Sequence, residues 1–358
     1  MKNIFIILST IFIVVNTTNA QLDSIYNQGE YRTFIVHKPT GYSPSNQYPL
    51  VINLHGLSSN ATFQQNYTQF DDVADSLGFI VIYPNGNSDV DFLSDLIDSI
   101  HAEYSTNNCL FVTGFSQGGF MTYKFANNTT HSVTAIAVGS GNMSLALQNA
   151  SVSAPQIPVM HFHGTDDNIV SYDGAALIST VDNTIQWWIN HNNCNTTPVF
   201  SNITNSNLTD ESTVEKYSYS GGTNGSEVIF YKIINGGHTW SGATPIPAFG
   251  STNQDINQSA IIGGFFADFC SETIGINDEE SEVSVNLYPN PFLNQLIIQC
   301  GSKSEYKFIL YDNLSRIKLK ETFIGNSTIS TDNLSNGIYF YEIRDAEKQL
   351  KTGKVIKK

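Results

Sequence analysis

Residues 114–118 read Gly114-Phe115-Ser116-Gln117-Gly118 and fit the pattern G-x-S-x-G. In that pattern a serine sits on a tight strand-to-helix turn, with small residues on either side because a side chain would clash there. A serine hydroxyl is a weak nucleophile until a base takes its proton during attack, and a carboxylate must hold that base in the right tautomer. Both partners appear downstream, in the order Ser, Asp, His. The base is His238, in a glycine-rich loop, Asn235-Gly236-Gly237-His238, that directly follows an apolar run. A lone histidine in a polar loop is ordinarily a solvated surface residue, and its place after the last core strand, downstream of an acid, sets this one apart. The acid comes from His163-Gly164-Thr165-Asp166-Asp167. The residues alone leave Asp166 and Asp167 both open.

An oxyanion formed on attack needs donors that are in place beforehand. One is the amide of Gln117, at the start of the helix after the turn. The other is expected after Leu54-His55-Gly56, from the amide of Leu57. His55 is expected to brace that loop, and His55 and Trp240 to lie on the substrate side of the site. His161 and His163 are two apart, as a metal pair could be, but without a carboxylate or cysteine to complete it. They are expected to fill a strand end or touch substrate. No metal and no cofactor are predicted.

The elements needed to position these groups can be read around them. Residues 48–56, 79–83, 110–114, 133–138, 157–164 and 227–234 are near-continuous apolar runs, which is how strands buried on both faces of a parallel sheet read. Between them, residues 70–77, 91–104, 119–127, 180–192 and 259–270 carry helical spacing. Residues 31–39 alternate as an early antiparallel strand, and the polar stretch 192–224 reads as a surface excursion. The alternation predicts a doubly wound α/β sheet with its ligand crevice at the carboxyl edge.

Composition bounds the rest. The 358-residue chain carries a formal charge of −15, with 17 Lys and Arg against 32 Asp and Glu, so nucleic acid and anionic membranes are poor partners. Residues 1–20 read as a secretory signal peptide, and no later stretch is apolar enough to span a bilayer. Of the four cysteines, Cys109 is expected to be a buried free thiol, and Cys194 and Cys270 to pair. Residues 275–282 form an acidic linker after a domain of residues 21–274. From residue 283 to 358 short alternating strands separated by turns predict a small antiparallel β-sandwich.

These blocks resemble the secreted polyhydroxybutyrate depolymerase and feruloyl esterase group of α/β-hydrolases, which includes the family 1 carbohydrate esterases. The likeness rests on residues 49–56, 78–86, 114–119, 163–167 and 236–240, in the right order. It implies an α/β-hydrolase fold and a serine esterase with Ser116, Asp167 and His238 as its triad, acting through an acyl-enzyme on ester substrates; a shortened segment after Gly86 leaves an open cleft compatible with polymer-linked esters. The tail, with Tyr288-Pro289-Asn290-Pro291-Phe292, residues 334–341 and a basic terminus, resembles the sorting domain of type IX secretion. That implies the type IX machinery as a partner and secretion or surface anchoring. The competing readings are a non-catalytic carbohydrate-binding protein on the same scaffold, and an acyltransferase.

Overall fold

The computed structural model describes residues 21–86, 89–150, 155–270, 285–300, 305–312, 316–344 and 349–358. The expected signal peptide and acidic linker lie outside them. The chain divides into two units, Met1–Ile274 and Gly275–Lys358.

In the first unit the elements follow as β1 (Gln21–Asn27), β2 (Glu30–His37), β3 (Tyr48–Leu54), α1 (Ala61–Thr68), α2 (Phe70–Leu77), β4 (Ile80–Pro84), α3 (Val90–Glu103), β5 (Thr106–Phe115), α4 (Gln117–Asn128), β6 (Ala135–Gly139) and α5 (Leu145–Asn149). They continue with β7 (Val159–Gly164), α6 (Val181–His191), β8 (Val199–Asn202), β9 (Thr213–Tyr219), β10 (Val228–Ile234) and α7 (Gln258–Phe269). Ten strands make one sheet in the order β1-β2-β4-β3-β5-β6-β7-β10-β9-β8. The six from β4 to β10 in that order run parallel, and antiparallel pairs close both edges. This is the mostly parallel, helix-flanked sheet that the sequence predicts.

Alternation along each strand splits the core between the two faces. Leu50, Ile52 and Leu54 of β3 pack with α3, α4 and α6, whereas Val51 faces the side covered by α1, α2 and α7. Helix α3 shows why the spacing was legible: Phe92, Leu93, Leu96, Ile97 and Ile100 make one buried stripe, each side chain contributing about 1.5–3 kcal/mol on burial. From β3 the chain goes to β4 on one side and then crosses to β5 on the other. The strand order therefore reverses at β3 and β5, the place where open α/β sheets leave a crevice.

Two expectations need correcting. The stretch 192–224 is not only a surface excursion, because it contains β8 and β9, which extend the sheet beyond β10. Every residue of β8 is exposed, so no buried face marks it in the sequence. The cysteines also pair differently: Cys109 and Cys270 are bridged, and Cys194 is a buried free thiol. Cys109 and Cys270 belong with the core on the α7 side, and Cys194 with the core on the α6 side. The sheet lies between Cys194 and Cys270, so the expected pair cannot meet.

The second unit contains β11 (Val285–Tyr288), β12 (Gln295–Cys300), β13 (Glu305–Tyr311), β14 (Ile317–Ile324), β15 (Ser327–Ser330), β16 (Gly337–Arg344) and β17 (Gln349–Lys357). They form an antiparallel three-stranded sheet, β11-β12-β15, and an antiparallel four-stranded sheet, β14-β13-β16-β17. Leu296, Ile298 and Ile329 of the first share a core with Phe308, Leu310 and Ile343 of the second. The Pro289-Asn290-Pro291 turn is tied to the last strand: Asn290 donates to Lys354 O at 3.0 Å and accepts from Ile356 N at 2.9 Å.

Candidate active site

Strand β5 delivers Ser116 on a backbone that an L-residue rarely adopts, with φ 56° and ψ −119°. Its amide donates to the Gly139 carbonyl of β6 at 2.9 Å, and helix α4 starts at the next residue. The second glycine of the pattern is required by contact: a Cβ on Gly118 would lie 2.1 Å from the Leu54 oxygen. The turn is thus pressed onto the end of β3, and the loop that follows β3 reaches the serine. A Cβ on Gly56 would lie 3.4 Å from Ser116 Cβ.

His238 is buried in the loop after β10, where its Nδ1 lies 2.7 Å from Asp167 Oδ2. The other carboxylate oxygen of Asp167 accepts from the amides of Ile169 and Val170 at 2.9 and 2.8 Å. Acceptance from two amides fixes the orientation of that carboxylate, and a carboxylate oxygen accepts, so the proton between the two residues sits on His238 Nδ1. The Nε2 lone pair is then free to take a proton, as a general base requires. Asp166 is exposed, its carboxylate accepting from the Thr165 hydroxyl at 3.2 Å. Of the two adjacent acids, Asp167 is the one joined to His238.

Ser116 and His238 share the wall of a cavity of about 430 Å³. Leu57 lines it from the loop after β3, which is closed by the Ser59 amide donating to Gly56 O at 3.2 Å. The rest of the wall is largely apolar, with Phe63, Ile169 and Phe249. Leu57, Phe63 and Ile169 are exposed large apolar side chains, 72%, 39% and 56% accessible. Gln117 is the first residue of α4, and the first amides of a helix have no partner within it. An electron-rich oxygen held beside Ser116 would meet that helix end.

Two residues expected on the substrate side are elsewhere. Trp240 is 1% exposed, donates its indole N–H to Ser259 Oγ at 2.9 Å and packs against Gly139. Its bulk and its satisfied N–H make it a core residue that anchors the histidine loop. His55 is buried as well; its Nδ1 lies 2.7 Å from Gly56 O and its Nε2 accepts from the Gly86 amide at 3.2 Å. It braces the loop that carries Leu57 and does not line the cavity. His161 and His163, also open to a substrate role, are buried completely beneath the site. Phe63, Ile169 and Phe249 were not singled out from the sequence, and neither was Tyr123 of α4, which bonds His161. Only Ile169 had a signal, its closeness to Asp167.

Residues 88–199 match the phospholipase/carboxylesterase family, and residues 286–358 match the secretion-system C-terminal sorting domain. The bifunctional acetylxylan esterase/xylanase XynS20E of Neocallimastix patriciarum is 31% identical over 40% of this chain and 23% of its own. Feruloyl esterase C of Emericella nidulans is 25% identical over 48% of this chain and 66% of its own. The chain thus spans less than two thirds of the length of these relatives. An acetyl xylan esterase from Aspergillus awamori is similar in structure, with a TM-score of 0.45 and 16% identity over 64% of this chain and 96% of that one. The C-terminal sorting domain addresses its carrier to secretion or the cell surface.

Proposed function

We propose that this chain, an α/β-hydrolase domain related to acetylxylan and feruloyl esterases and joined to a sorting domain, is an exported serine carboxylic ester hydrolase. Ser116 attacks the ester carbonyl while His238 takes its proton on Nε2, and Asp167 stabilises the imidazolium. The tetrahedral oxyanion is held by the amides of Gln117 and Leu57. His238 then returns the proton to the leaving alcohol, and water resolves the acyl-enzyme by the same steps in reverse. The observation that carries this reading is the buried 2.7 Å pair of His238 and Asp167 on the cavity that Ser116 lines.

The substrates proposed are polymer-linked esters, with feruloyl esters of plant polysaccharide ahead of acetyl esters. The apolar wall of Leu57, Phe63, Ile169 and Phe249 supports a bulky, flat acyl group, since an acetyl group would leave most of that surface wet. Export by the type IX route through the C-terminal unit completes the proposal.

The test is a set of purified-protein assays on a chromogenic acetate ester, feruloylated arabinoxylan fragments and acetylated xylan. Parent protein should hydrolyse the chromogenic ester with a burst, and Ser116→Ala should lose about 10⁶-fold in kcat with its fold intact. Retention of more than a few per cent of activity by Ser116→Ala refutes the assignment of the nucleophile.

A further inference from the structure

Under the site runs a chain of buried hydrogen bonds whose direction can be worked out atom by atom. His163 Nε2 lies 2.8 Å from the Val170 carbonyl. A carbonyl only accepts, so the proton is on Nε2. Burial, the largest influence, holds His163 below the ordinary imidazole range, with the Asp167 charge opposing it, so the ring is neutral at pH 7 and its Nδ1 is a bare acceptor. His161 Nε2, 3.3 Å from that Nδ1, is therefore the donor. His161 is itself kept neutral by burial. Its Nδ1 is left to accept from the Tyr123 hydroxyl at 2.7 Å. The two imidazole planes are within 7° and their centroids 5.4 Å apart. That separation is close to the N···N distance plus two ring radii, so the rings lie side by side, as an in-plane bond requires.

The chain ends on the acid. The Val170 carbonyl accepts from His163, and the Val170 amide donates to Asp167 Oδ1. His163 Nε2 also lies 3.4 Å from Asp167 Oδ2, the oxygen that meets His238. We propose that Tyr123, His161 and His163 are positioning residues: a one-way hydrogen-bond chain that keeps the His163 proton on Nε2, pins the turn from Asp167 to Val170, and so sets the angle at which Asp167 meets His238. The proposal rests on the triad assigned above.

Tyr123→Phe removes one hydroxyl and leaves His161 without the donor that fixes its tautomer. With the proton of His161 on Nδ1, two lone pairs would face each other across the gap to His163. On the chromogenic ester, kcat should fall about 10-fold in Tyr123→Phe and up to about 100-fold in His163→Leu, with KM within about twofold. His163→Gln, whose amide can donate to Val170 O, should recover most of the loss. Ring ¹⁵N NMR of the parent protein should show both His161 and His163 protonated on Nε2, and Tyr123→Phe should move His161 toward Nδ1.

An unchanged kcat in both Tyr123→Phe and His163→Leu, or an Nδ1-protonated His163 in the parent protein, overturns the proposal. The NMR measurement needs no variant, so a misfolded His163→Leu leaves the question decidable. The two layers separate cleanly: an active Ser116→Ala removes the triad and this chain's purpose with it, while an inactive Ser116→Ala beside fully active Tyr123→Phe and His163→Leu removes this proposal alone.

Discussion

Gly118 and Leu54 touch through their backbones: a Cβ on Gly118 would come within 2.1 Å of the Leu54 carbonyl oxygen. Helix α4 can start where it does only because nothing projects from its second residue. Gly118→Ala should therefore lower stability by about 3 kcal/mol or more, since the neighbour is a fixed strand end and not a flexible side chain. Denaturant unfolding of the variant measures this, and an unchanged midpoint would contradict the close approach.

The adjacent acids should separate sharply. Asp167→Asn should lower kcat by up to about 10⁴-fold, because the remaining amide cannot hold the required tautomer of His238 or stabilise its charged form. Asp166→Asn, on an exposed carboxylate, should stay within about threefold of the parent. Steady-state kinetics with a soluble ester compares the two, and the reverse ranking would move the acid by one residue.

The bridge between Cys109 and Cys270 closes a loop of 161 residues. Replacing both by serine should lower stability by about 3–5 kcal/mol on the chain-entropy account. A reductant should have the same effect on the parent protein and none on the double variant. Should the reductant leave the parent's unfolding midpoint where it was, the pairing is wrong.

Acid should destabilise the first unit in a predictable window. Burial lowers the pKa of His161 well below its ordinary 6.5, with the neighbouring His163 adding to the effect. Burial likewise lowers His163, opposed by Asp167 and the Val170 carbonyl and reinforced by His238. Below about pH 6.5 the unfolded chain takes up protons that the folded one refuses. The contribution to stability is thus complete above that pH and is lost as pH falls toward the folded values, by up to about 1.4 kcal/mol per unit for each histidine. His161→Phe should show a shallower fall between pH 6.5 and 5 in urea titrations, about one proton's worth. An identical slope would mean that His161 titrates normally.

How much of this was readable beforehand depends on what each residue's signal rests on. The parallel strands were legible because Leu50, Val51, Ile52 and Leu54 are apolar toward both faces, and α3 because its buried stripe repeats at helical spacing. Leu57, Asp167 and His238 were legible because each sits shortly after a strand that could be seen, whereas Phe63, inside α1, carried no such mark. Strand β8 was not, since Val199, Phe200, Ser201 and Asn202 are all exposed, and an edge strand without a buried face leaves no period. The cysteine pairing depends on which helix covers which side of the sheet, and helical spacing is silent on that. Trp240, expected on the substrate side, is turned inward by the short loop onto Gly139 and Ser259.

Strand β6 holds none of the residues proposed to react, yet it is the spacer between Ser116, the proposed nucleophile, and Asp167, the proposed acid. Its last carbonyl, on Gly139, accepts from the Ser116 amide, and the next amide, on Ser140, donates to Phe162 O in β7. The interval from serine to acid is therefore counted in strand widths, at about 4.8 Å each, and not in the lengths of the loops that join them. Segments on the outside of the sheet can lengthen, shorten or be exchanged while that interval stays the same. Variation in what the cleft accepts is open to the loops, and β6, which carries none of the side chains proposed to react, is closed to it.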